Sequence, residues 1–324
     1  MCTAILHKND NLSLLSRTLD LECSYAEQIV ITPRDYRFPY IYESVKKPLS
    51  LIGIAHVESG VPLYYDAMNE CGLMGAALNF PGNAKYGDRV EGRVNLASFE
   101  LLPYVLSASN SLSCARELLS RVNITSDPFS SALPPTPLHW IFADSTGAIT
   151  VEADAFGYHV YENPFGVLTN NPPFPYHKTR MADFMFLDSF TKKNELCPQV
   201  NLRAYSRGMG AIGLPGDFSS SSRFVRSVFL ENHTKAENTP MGALRRAFHI
   251  ADNISVPCGA VKSERGDDVY TVYTAVLSPF DLTYYVSAYG ARSISALRLT
   301  EDRKCGDKIL SFTIPENLKI EQIN

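Results

Sequence analysis

The opening stretch MCTAILHK sets a small side chain directly behind the initiator methionine. Methionine is commonly trimmed before a residue as small as cysteine. Trimming would leave Cys2 with a thiol and a free α-amine on one carbon. An α-amine titrates at roughly 7.7–8.0 and a thiol near about 8.5. Such an amine can take the thiol proton at neutral pH and return it later to a leaving group. A nucleophile of this kind carries its own base. A lone terminal cysteine is more commonly inert, so its placement decides. The strand propensity of CTAILH would hold residue 2 at a fixed strand end, clear of a fraying tail.

Four further stretches carry polar groups that could serve that nucleophile. In LLSRTLDLE, Arg17 would favour the thiolate and Asp20 would grip a terminal ammonium. Three residues apart in a strand is opposite faces, so a turn or bulge is expected if both aim at one site. A solvated charge pair is the plainer reading. GLMGAALNFPGN presents Asn79, and GVLTNNPPF presents Asn170 and Asn171, each at the end of an apolar run. Either stretch is an ordinary turn, or offers an amide donor to a developing oxyanion.

GMGAIGLPGDFSSSSRFVR lacks the order of a phosphate-binding loop, and its glycines are expected to let a loop pass under a site. Arg223 falls at a helix start, where the macrodipole disfavours a cation. A carboxylate partner or a functional constraint is therefore expected there. The seven histidines show no metal-ligand spacing, and a Cys–His pairing is neither supported nor ruled out.

The elements that must position these groups read as strands first. CTAILHK, EQIVITPR, LSLIGIAHV, LYYDAM and GLMGAALNF are short, β-rich and bounded by turn residues. Residues 95–122 read as helix. The block from Leu138 to Asn171 alternates like an antiparallel meander with turns at 145–147 and 155–157. Further helices are expected over 177–189, from near Arg223, and over MGALRRAFHIADNI. Residues 188–204 read as a surface loop. VYTVYTAVL, LTYYVSAYG and ISALRLT close the chain as strands. Two antiparallel sheets between helical layers follow from that order.

Composition narrows the function classes. Net charge is −4 over 324 residues, which gives no basic field for nucleic acid. No apolar run reaches membrane length, and the N-terminus lacks a signal-peptide pattern. Seven scattered cysteines without a CxxC pair speak against a disulfide framework and a zinc site. A reducing cytoplasm is the expected compartment, leaving the sequons at Asn11, Asn123, Asn232 and Asn253 without glycan.

These stretches, in register from MCTAI through ITPRDY, PLYYDAMNE, LNFPGNA, PLHWIFAD, VLTNNPPF and SSSSRFVR, resemble the choloylglycine hydrolase family of N-terminal nucleophile hydrolases. That family contains bile salt hydrolases and penicillin V acylases. The resemblance implies an α+β fold, an αββα four-layer sandwich forming one domain over 1–324. It implies amide hydrolysis with no cofactor and no metal, after loss of Met1. It assigns Cys2 as nucleophile with its own amine as base, and Arg17 beside the thiol. Asp20 would orient the amine, Asn79 and Asn170 would form the oxyanion hole, and Arg223 would complete the cluster.

Asn79 stands where penicillin V acylases usually place a tyrosine, so conjugated bile salts are the expected substrate. Penicillin V or another N-acyl amide is the alternative. A homotetramer without nucleic-acid or membrane partners is expected. Leu15-Ser16-Arg17-Thr18 departs from the family's aromatic-Gly-Arg-Asn, which bears on how this strand packs.

Overall fold

The computed structural model describes residues 1–9 and 12–323; the sequon at Asn11 lies outside the described residues. The first third is strand: β1 (Cys2–Lys8), β2 (Ser13–Leu21), β3 (Gln28–Thr32), β4 (Leu51–Glu58), β5 (Val61–Asn69), β6 (Met74–Asn79) and β7 (Val94–Ala97). Next come α1 (Leu101–Ala108), α2 (Leu112–Leu119), β8 (Val122–Thr125), β9 (Leu138–Asp144), β10 (Gly147–Asp154), β11 (Gly157–Glu162) and β12 (Val167–Leu168). Helices α3 (Phe174–Arg180), α4 (Ser220–His233) and α5 (Pro240–Asp252) follow. The chain then runs through β13 (Val261–Lys262), β14 (Asp268–Ser278), β15 (Thr283–Ala288), β16 (Ser295–Arg298) and β17 (Leu310–Thr313).

Two antiparallel sheets stack face to face. One runs β12-β1-β2-β14-β15-β16, with β13 on β14; the other runs β11-β10-β9-β6-β5-β4-β3-β17. Between them lies an apolar layer built from alternate residues of both, including Ala4, Leu15, Leu19, Ile54, Met68 and Leu78. A second layer joins the larger sheet to α1 and α2 through Leu102, Val105, Ala115 and Phe142. On the opposite side, α4 and α5 cover the smaller sheet through Phe224, Val228, Leu244 and Phe248. The expected αββα sandwich is present.

Several boundaries differ from the sequence reading. Residues 95–122 hold two helices, not one. Asn95 sits in β7, and the helical run breaks before Ser111, whose side chain accepts from Cys114 N–H and caps α2. The apolar spacing continues across the break, so periodicity alone runs the helices together. The helix expected over 177–189 begins at Phe174, ends as α-helix at Arg180, and continues only as a 3-10 turn to Phe184. In the meander, β9, β10 and β11 are consecutive neighbours, but β12 crosses to the smaller sheet and pairs with β1.

The far end of the glycine-rich stretch reaches the Cys2 cluster, where Phe218 O accepts from Arg223 Nε at 3.0 Å. A Cβ on Gly210 would meet Phe190 O at 2.1 Å, so this glycine permits close packing on the 188–190 turn. All seven cysteines are free. No described helix is long and apolar enough to cross a membrane, and no described cluster of His, Cys, Asp or Glu could hold a metal ion.

Candidate active site

Strand alternation decides which way each group points. Along β1, Cys2, Ala4 and Leu6 face the layer between the sheets, whereas Ile5 packs with Phe224 beneath α4. Along β2, Leu15 and Leu19 face the inter-sheet layer, and Leu14 packs with Leu244 and Phe248 of α5. Arg17 therefore reaches inward between the sheets, while Asp20 belongs to the helical face.

Strand β2 itself is unbroken. The irregularity lies opposite it, where Asp20 pairs with Thr271 and Leu19 with Tyr273, leaving Val272 as the extra residue of a bulge in β14. The expected turn or bulge in β2 is not what unites Arg17 and Asp20. Cys2 does so by its position at a strand end, with its thiol on one face and its backbone nitrogen open to the other.

On the inter-sheet face, Arg17 Nη2 lies 3.5 Å from Cys2 Sγ and donates to Ala77 O at 3.2 Å. Its Nη1 donates to Asp66 Oδ2 at 3.0 Å and to the Tyr273 hydroxyl. Tyr273 also donates to Asp66 Oδ2 at 2.6 Å, and Tyr284 donates to Asp66 Oδ1. Asp66 on β5 thus joins the two sheets. Gly53 lets β4 press against it: a Cβ there would meet Asp66 O at 2.0 Å.

Burial alone would lower the Arg17 guanidinium. The surrounding Tyr273, Cys2, Asp66 and Tyr284 instead hold it well above its usual value. It is a fixed cation, locked 3.5 Å from the Cys2 sulfur.

The helical face is built differently. Cys2 N–H donates to Asn170 Oδ1 at 2.8 Å. Arg223 Nη2 donates to the same oxygen at 2.7 Å, and its Nη1 donates to Cys2 O and Thr3 Oγ1, both at 2.5 Å. Nε donates to Phe218 O at 3.0 Å. Among the described residues no carboxylate pairs with Arg223 and every acceptor is neutral, so of the two expected alternatives the carboxylate partner is absent. Burial lowers its pKa, opposed chiefly by the nearby Asp20 charge. Ser219 caps α4 and places Arg223 in its first turn.

Asp20 is buried. Its Oδ1 accepts from Thr271 Oγ1 at 2.7 Å, and its Oδ2 has no hydrogen-bond partner among the described residues. The Met1 amine donates to Asp20 O at 2.5 Å.

The two asparagine turns are stapled to each other. Asn170 Nδ2 donates to Asn79 O at 2.7 Å, and Asn171 Nδ2 donates to Pro81 O. Asn170 is further held by Ser220 Oγ, which accepts its N–H at 2.8 Å, and by His177 Nε2 at 3.0 Å from its carbonyl. The Asn79 side chain is half-buried at the end of β6 and makes no hydrogen bond among the described residues. Among the described residues no histidine hydrogen-bonds the Cys2 thiol, whereas Arg17 Nη2 does.

All six sequence-chosen residues lie in this cluster. Missed were Asp66, Thr271, Tyr273 and Tyr284. A signal existed only for Asp66, an acidic residue inside the apolar strand LYYDAM.

A model of linear amide C–N hydrolases, choloylglycine hydrolase family, matches residues 2–309. The chain belongs to the choloylglycine hydrolase family. The bile salt hydrolase/transferase of Lactiplantibacillus plantarum is 35% identical over 327 positions, spanning all of both chains. A conjugated bile acid hydrolase of Lactobacillus gasseri is 32% identical over 96% of this chain and all of its own. Among solved structures, a mutant conjugated bile acid hydrolase from Clostridium perfringens superposes with a TM-score of 0.91 at 29% identity, both chains covered in full. The penicillin V acylase of Agrobacterium tumefaciens reaches 0.75 at 20% identity, over 96% of this chain and 91% of its own, a likeness of fold alone.

The stretch Leu15-Ser16-Arg17-Thr18 of β2 makes contacts of its own. Ser16 Oγ lies 2.7 Å from His7 Nε2, and His7 Nδ1 lies 2.7 Å from Glu231, which also pairs with Arg246. Ser16 thereby ties β2 to β1 and both helices of the outer layer.

Proposed function

We propose that the chain, acting as one domain over 1–324, hydrolyses the amide bond of glycine- or taurine-conjugated bile salts through a thioester on Cys2. The observation that carries this reading is the two-sided placement of Cys2. Its thiol sits against the locked Arg17 cation, and its nitrogen donates to Asn170 Oδ1, on the face of the sheet to which Asp20 belongs. Removal of Met1 converts that nitrogen to an amine already in place, with Asp20 free to accept from its ammonium form.

The amine takes the thiol proton, and sulfur attacks the amide carbonyl carbon. The oxyanion forms against the Asn79 and Asn170 side chains. As the C–N bond breaks, the proton passes to the departing nitrogen and frees glycine or taurine. Water, deprotonated by the same amine, then attacks the thioester carbonyl; the C–S bond breaks and the thiol recovers its proton. Arg223 holds the Cys2 carbonyl and Asn170 together, so nucleophile and acceptor move as a unit.

Release of glycine or taurine from conjugated bile salts by the purified protein tests the reading. Cys2→Ala is expected to abolish release, and undiminished activity would remove the mechanism. Faster turnover of phenoxymethylpenicillin than of glycine conjugates would overturn the substrate class.

The cytoplasm suits seven free thiols. The exposed Met185, Phe186, Phe190, Leu196, Leu202 and Tyr205 would find cover at an interface between copies in a homotetramer. Light scattering showing a monomer at micromolar concentration would contradict it.

A further inference from the structure

Behind the two asparagine turns lies a buried ionisable pair that the proposed chemistry does not touch. His139 on β9 and Glu152 on β10 are 1% and 0% exposed, and His139 Nδ1 lies 3.0 Å from Glu152 Oε1. His139 Nε2 lies 2.9 Å from Thr169 O, a carbonyl that can only accept, so this nitrogen carries a proton. Both Glu152 oxygens accept from Phe174 N–H, at 3.0 and 3.1 Å. The His139 ring stacks on Phe80 with centroids 4.3 Å apart and planes 8° apart.

Thr169 directly precedes Asn170, and Phe80 directly follows Asn79. The imidazole therefore touches both turns from behind, while Asn170 Nδ2 on Asn79 O closes the circuit in front. Glu152 anchors the far end of the second turn, at the start of α3. A buried pair of this kind adds little stability compared with apolar residues of the same volume, but it is directional. An apolar pair would fill the space without fixing either turn.

We propose that His139, oriented by Glu152, is a positioning residue that holds Asn79 and Asn170 in register as oxyanion donors. The inference rests on the proposed reading that these two amides receive the oxyanion. Misplacing donors by a fraction of an ångström costs rate without loss of ground-state binding.

The test uses steady-state kinetics on a glycine-conjugated bile salt with the full chain. His139→Gln keeps a donor near Nε2 but loses the stack and the Glu152 contact. It is expected to lower kcat by about 10–100-fold with KM within about threefold, while alkylation of Cys2 by iodoacetamide keeps its rate. Combined with Asn79→Ala, the losses should be less than multiplicative, because both act through one donor.

Wild-type kcat in folded His139→Gln, or strictly multiplicative losses, would overturn the inference. Should that variant not fold, Phe80→Leu removes only the stack; a kcat loss non-additive with Asn79→Ala supports the proposal, and wild-type kcat overturns it. Unchanged kcat in Asn79→Ala alone would instead bring down the oxyanion assignment. A crippled Asn79→Ala beside an unimpaired His139→Gln removes only the positioning role.

Discussion

Arg17 and Arg223 are both buried against Cys2, one on each side of the same sheet, and they are neutralised in opposite ways. Arg17 has a dedicated carboxylate, Asp66, itself held by two tyrosine hydroxyls. Arg223 has carbonyl oxygens, a threonine hydroxyl and an asparagine amide. The difference is one of what each holds in place. A cation fixed by its own anion stays rigid beside the Cys2 thiol. A cation with neutral acceptors ties the Cys2 backbone to the Asn170 amide.

The largest expected effect separates the two arginines by stability. Arg17→Leu strands Asp66 as an uncompensated buried charge and should cost about 3–5 kcal/mol in urea unfolding. The double variant Arg17→Leu with Asp66→Leu should recover most of that loss. Equal damage from the single and double variants would break the view of Asp66 as a dedicated counter-ion.

Acidification probes the other face. His177 stacks on Phe224, beside Arg223, and burial pushes its pKa down to about 4. The folded state thus refuses a proton that the unfolded chain accepts near pH 6.5. Its stabilising contribution is full above pH 6.5 and falls by about 3 kcal/mol as pH drops toward 4. His177→Gln should flatten unfolding free energy against pH in that window; an unchanged slope would place the acid sensitivity elsewhere.

Arg223→Leu strands only neutral acceptors, so about 1–3 kcal/mol is expected, less than for Arg17→Leu. A loss equal to that of Arg17→Leu would erase the contrast. The smallest effect belongs to Ser219→Ala, which removes the α4 cap at about 1 kcal/mol by thermal melting.

The same contrast explains what the sequence could say. Asp66 meets Arg17 from the opposite sheet, 49 residues further on; Tyr273 meets it from the neighbouring strand β14 across 256 residues, and Tyr284 reaches Asp66 across 218. No local pattern encodes such a meeting. Strand identity was legible because CTAILHK and GLMGAALNF alternate or run apolar over strand lengths. The edge strand β17 was not, since Leu310 and Ser311 are exposed and supply no buried face.

Cys2, Asp20, Asn79, Asn170 and Arg223 were legible as candidates, but their roles came from the resemblance, because each also reads as a turn or surface residue. Of the two alternatives expected for Arg223, the carboxylate partner is absent for a physical reason: a guanidinium can be satisfied by several neutral oxygens when carbonyls converge on it.

The central claim is that one residue supplies both nucleophile and base, its sulfur and its nitrogen served from opposite faces of a sheet. Glycine release by the Met1-free enzyme, measured before and after selective acetylation of the α-amine, tests this most directly. Acetylation is expected to slow release by about 100-fold or more while Cys2 still reacts with iodoacetamide. Release at the original rate from fully acetylated enzyme would contradict it.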